Sequence, residues 1–151
     1  MDNLDRRKSI GPKIVNPEKA ILSAEPFLDA RRSPASKGRN EIDAGQYGYH
    51  AKAVWLPSRA LLIRREVLNA IGGFDECYAN GDIADADLCL KARFRDFKCV
   101  YAGTVTVRDN GAGTEPGDPE TEPGFARFTE KWNAYSDLLS TRSQLDRVFN
   151  L

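Results

Sequence analysis

The chain has 151 residues, 41% of them hydrophobic, with 22 basic and 22 acidic side chains and a formal net charge of zero. That length suits about one domain, and the charge balance argues against a dominant basic nucleic-acid surface or polyacidic tail. No run of about 18 apolar residues occurs, so no membrane-spanning helix is expected, and the basic residues of MDNLDRRKSIGPKIV lead into no apolar segment of the kind a secretory signal needs.

Residues 1–9 are polar and are expected to form a disordered extension. Ile10 to Pro17 predicts a short strand, with Ile14 and Val15 as the β-formers and Asn16-Pro17 as the turn. Residues 30–48 are rich in Ser, Gly and Arg with no apolar period, which predicts a long surface loop. In Ala51–Ile63 two apolar stretches flank a bend at Pro57-Ser58. Val67, Leu68 and Ile71 have helical spacing, and Gly72-Gly73 supplies the stop, with Phe74 as an apolar anchor after it.

The clearest helical segment is 85–96, with Leu88, Cys89, Ala92 and Arg93 on one face and Phe94 beside it. Asp85 and Asp87 would then fall in the first turn, where acids suit the helix dipole. Lys98–Tyr101 and Thr104–Val107 predict two short β segments, and residues 109–124 a loop. Phe125, Phe128 and Trp132 predict a last helix running past Leu138, with 141–151 as a tail.

The three cysteines, Cys77, Cys89 and Cys99, form no CxxC pair, and His50 is the single histidine. A structural zinc site is therefore not expected. Buried, reduced thiols in a cytosolic protein are. A calcium loop starting at Asp85 fails, because Cys89 and Leu90 stand where an oxygen ligand and a glycine are needed. Gly111-Ala-Gly113 lacks the lysine and the strand–helix context of a phosphate loop.

The order of short motifs carries a resemblance. It runs Gly11-Pro-Lys-Ile-Val-Asn-Pro17, Trp55 before Ser58–Arg65, Gly72-Gly-Phe-Asp-Glu76, Asp85-Ala-Asp-Leu-Cys-Leu90, Val100-Tyr101, and Phe128 with Lys131-Trp132. Over about residues 10–135 this resembles the C-terminal half of family 2 glycosyltransferases, which are inverting, metal-dependent, nucleotide-sugar enzymes of the GT-A fold. The resemblance implies an α/β fold: a partial GT-A-like domain with a small mixed sheet, about three helices and long loops, spanning residues 10–140. It implies that Asp85 is the catalytic base. It also places Gly73, Asp75, Glu76 and Asp87 at the acceptor site, with Trp55 stacking on a sugar ring. A carboxylate in hydrogen-bond reach of an acceptor hydroxyl can take its proton as it attacks the anomeric carbon.

Local readings stand beside these roles. Asp82 or Asp85 can serve as an N-cap, Trp55 and Trp132 as core, and Arg108, Arg64 and Arg65 as solvated charges. Ala84 replaces the glutamate that the family places before its base, and Arg108 falls where the family has a histidine near the diphosphate. Arginine cannot ligate a metal but can pair with a diphosphate. The family's nucleotide-binding strands and metal-binding acidic pair have no counterpart in these residues. The expectation is an acceptor-side, catalytic-base half that is inactive alone. A divalent metal (Mn or Mg) is expected only in a complete enzyme, and no metal ligand is assigned here. Partners would be a nucleotide-sugar donor, a saccharide acceptor and a nucleotide-binding half, or a second copy paired through an exposed sheet edge. No nucleic-acid partner is expected. The competing expectation is a non-catalytic binding or assembly module.

Overall fold

The computed structural model describes residues 8–79, 81–111, 123–135 and 139. Six strands and three helices make a mixed α/β domain. The strands are β1 (Lys8–Val15), β2 (Ile21–Leu28), β3 (Pro34–Lys37), β4 (His50–Lys52), β5 (Leu62–Ile63) and β6 (Lys98–Arg108). The helices are α1 (Arg65–Ile71), α2 (Gly81–Phe94) and α3 (Pro123–Asn133). The sheet runs β3-β2-β1-β6-β4, and β5 pairs with β1 as well.

β1 is the centre of the sheet. It lies parallel to β6, from Lys8 opposite Lys98 to Val15 opposite Arg108. Its other edge is shared: β5 pairs antiparallel with its first half and β2 with its second. A proline inside a central strand removes a ladder donor, so it needs a break in the pairing. Pro12 has one: it lies opposite Ala102, while Lys13 lies opposite Thr106. Gly103 sits in the bulged stretch, and its amide donates to the Tyr49 carbonyl at 2.9 Å. A Cβ there would collide with the carbonyl oxygens of Tyr47 and Tyr49, so only glycine fits. Pro26 is handled the same way in β2, beside a register shift at Glu25, whose φ is +39°.

The strand expected from Ile14 and Val15 is present, and it starts earlier, at Lys8. Lys8 and Ser9 are therefore ordered, whereas residues 1–7 and 140–151 lie outside the described residues. The stretch 30–48 is not all loop, because Pro34–Lys37 pairs with β2. The two segments expected at 98–101 and 104–107 are one continuous strand. The rest of the expected 109–124 loop, from residue 112 to 122, lies outside the described residues, as does Leu138.

α1 ends where Gly72 adopts the left-handed conformation (φ +78°) and returns its amide to Leu68 O at 2.9 Å. Phe74 is 49% exposed and anchors nothing, which corrects its expected role. α2 starts at Gly81, a full turn before the expected 85, and buries Ile83, Asp85 through Leu90, and Ala92. Phe94, expected beside the buried face, is half exposed. α3 follows its spacing but ends at Asn133, so it does not run on past Leu138 as expected; Phe128 and Trp132 are buried against α2, while Phe125 is half-buried. The core joins these helices to Val54, Trp55 and Leu56 and to Val15, Ile21 and Tyr101 of the sheet. Among the described residues, no helix is long and apolar enough to cross a membrane.

Candidate functional site

In sheets of this kind, ligands gather beyond the carboxyl ends of parallel strands. Here those ends are Val15 of β1 and Arg108 of β6. Asp109 follows β6, and its amide donates to Val15 O at 2.8 Å, fixing it at that edge. Its carboxylate accepts from Arg59 at 3.1 Å. Arg59 belongs to the 3-10 turn Ser58–Ala60, which the Pro57 bend sets against β1.

The same turn meets α2. The Ser58 amide donates to Asp85 Oδ2 at 2.8 Å. Asp85 is only 5% exposed. Burial raises its pKa to about 6; the Ser58 amide and hydroxyl and the Arg59 charge oppose that rise, and Asp82 adds to it. Asp82, three residues earlier and so on the same helix face, is also raised by burial, against Arg59 and Arg39. Asp82, Asp85, Asp109 and Arg59 therefore form one cluster at the strand ends. Arg108 is exposed at the last position of β6.

This geometry corrects one expectation about Asp85. Asp82 occupies the first turn of α2 and Asp85 the second. Asp85 is therefore not held ionised at a helix mouth. Desolvation governs its proton, and acts in the opposite direction.

Asp87, two positions on, points about 200° around the helix from Asp85. It is fully buried, and its Oδ1 accepts from Lys131 Nζ at 2.7 Å and Trp132 Nε1 at 2.9 Å. Lys91 Nζ stands 3.8 Å from its other oxygen. Asp87 thus bolts α3 to α2 and does not share a cleft with Asp85. Gly73 and Asp75 join that second network. The Gly73 carbonyl accepts from Lys91, and Asp75 lies 4.0 Å from Lys131. Asp75 also accepts from the Cys77 amide at 3.1 Å, which holds its carboxyl below the usual range. Glu76 is exposed.

Trp55 is 3% exposed, and its indole N–H donates to Phe27 O at 2.7 Å. Its ring is packed by protein and offers no face for stacking on a sugar, so the core reading is the one the structure supports. Of the seven residues singled out from sequence, Asp85 joins the cluster around Arg59, while Arg108 is exposed at the end of β6. Gly73, Asp75 and Asp87 meet through Lys91 and Lys131, apart from that place. Ser58, Arg59 and Asp109 were not singled out. Only the i, i+3 spacing of Asp82 and Asp85 signalled the cluster in sequence.

Of the cysteines, Cys77 is exposed, contrary to expectation, while Cys89 and Cys99 are buried; all three are free. The Cys99 hydrogen bond and burial push the Cys89 thiol well up. Among the described residues no group of three or more His, Cys, Asp or Glu side chains could hold a metal ion. No protein-family model matches this chain, and no curated protein is similar to it.

Proposed function

We propose that the chain carries the acceptor-side, general-base part of an inverting, family 2-like glycosyl transfer, with Asp85 as the base. One observation carries this reading: a buried carboxylate, raised to about 6, at the carboxyl ends of the parallel strands. A base works best with a pKa near the working pH, and a perturbed acid in such a place is a site candidate. A carboxylate offers about four acceptor positions. The Ser58 amide and hydroxyl occupy two, orient the group and leave capacity for an acceptor hydroxyl.

In the proposed step the acceptor O–H proton passes to Asp85. The acceptor oxygen bonds to the anomeric carbon, and the bond from that carbon to the nucleoside diphosphate breaks on the opposite face. Arg108 and Arg59 offer positive charge to the departing diphosphate. Nucleotide binding is assigned to a companion segment, in cis or in trans. Buried, reduced Cys89 and Cys99 suit a cytosolic setting.

The test is sugar transfer from a panel of nucleotide-sugars with manganese, measured in the chain together with its nucleotide-binding companion. Asp85→Asn should lower the rate by about 10²–10⁴-fold. Wild-type activity should fall as pH drops through about 6, as Asp85 takes up its proton. Undiminished transfer by Asp85→Asn would remove it from the base role.

A second reading, a binding or assembly module, is favoured by β6. Its residues Thr106–Arg108 extend beyond β4 and are exposed; among the described residues they pair on one side only, with β1. Unpaired edges template strand addition. Sugar transfer by the chain together with its nucleotide-binding companion separates the two readings: activity favours transfer. Its absence, with a sedimenting dimer, favours the module.

A further inference from the structure

At the other end of α2 from Asp85 lies a cavity of about 370 Å³, lined by residues of all three helices and Tyr135. Lys91 and Phe94 are six and nine residues from Asp85, roughly 9 and 13 Å along the helix, and the cavity shares no lining residue with the Asp85 cluster. Its size falls in the range of small-molecule sites.

The lining has two parts. Lys91, Arg95 and Lys131 bring three cations together in a chain of zero net charge. Lys91 lies in the last turn of α2 and Arg95 just past its end, so two like charges line the cavity. Buried Asp87 offsets part of this charge through Lys131 and Lys91, and Asp75 touches Lys131 at the limit of an ion pair. The excess stays positive. The other part is aromatic. Phe94 and Tyr135 are 51% and 43% exposed, and their rings meet edge-to-face at 5.2 Å. Trp132 lies behind Tyr135 at 6.0 Å. Large aromatic faces left open in a concave, cationic place are a recognition feature, since a planar ring stacks there while an oxyanion meets the cations.

The geometry points to a binding site for a small aromatic phosphate, with Arg95 and Lys131 on the phosphate and Phe94 and Tyr135 against the ring. This site is independent of the Asp85 chemistry.

The experiment is an amide NMR titration of the full chain with phenyl phosphate, and in parallel with phenol and with inorganic phosphate. Phenyl phosphate should bind saturably at millimolar concentration or tighter, with shifts centred on Ala70, Lys91, Arg95 and Tyr135. Each half-ligand should bind about tenfold more weakly or worse. Arg95→Ala should weaken phenyl phosphate by about tenfold without altering the spectrum elsewhere, and Arg95→Glu by more. Absence of saturation, shifts centred on Arg59 and Asp109, or affinity unchanged in both Arg95 variants would overturn the site.

Discussion

Asp85 and Asp87 are two residues apart on one helix and meet different partners. Asp85 is short of compensation: the Ser58 amide at 2.8 Å and the Ser58 hydroxyl do not offset its desolvation, and its pKa rises to about 6 from an ordinary 3.8. A carboxyl raised on folding binds more protons in the native state, so stability declines as pH climbs from about 4 through 6. At neutral pH the ionised group therefore costs about 2–3 kcal/mol. Asp85→Asn should recover about 2 kcal/mol at pH 7.5 and nearly nothing at pH 4, read as denaturation midpoints at both pH values. An equal effect at both would mean that the carboxyl is not raised. Asp87 has the partners that Asp85 lacks. Asp87→Ala leaves the Trp132 N–H and Lys131 without their acceptor, and should cost about 2 kcal/mol, since half-exposed Lys131 can turn to water. The same denaturation series measures it.

At the scale of elements, ends and periods govern. Gly72 closes α1 in the left-handed region, where a Cβ is strained even though space is open. Gly72→Ala should cost about 1–2 kcal/mol in urea denaturation. α3 buries two side chains, Phe128 and Trp132. Phe128→Ala, at a fully buried site, should cost about 3–5 kcal/mol. These two elements were legible because their signals are local: a glycine pair after a helical period, and aromatics spaced by three and four. β2 and β3 were not. Ile21–Leu28 carries a proline and a glutamate inside the strand, which conceal any alternation, and Pro34–Lys37 is Ser-rich. Pairing partners, rather than propensity, make them strands.

For the molecule as a whole, the cysteines report cooperativity. Cys77 is exposed, whereas Cys89 on α2 and Cys99 on β6 lie in the core and touch one another. A thiol reagent should label Cys77 at once, and the other two only as the domain opens, together and at the rate of unfolding. Mass spectrometry of the modified chain would show one adduct and then three. A persistent two-adduct species would mean that α2 and the sheet open separately.

By itself the sequence determined what depends on neighbours along the chain: the central strand at Ile14-Val15, the stop of α1, the amphipathic period of α3 and the lack of a membrane-crossing helix. It also singled out Asp85. Tertiary structure decided what that residue experiences. Desolvation sums over every group packed around a carboxyl, and the groups that matter for Asp85, Ser58 and Arg59, come from a turn 27 residues away. The same long-range packing buried Trp55 against Phe27 and turned Asp87 towards α3, because burial and helix orientation are set by distant contacts that no local pattern encodes.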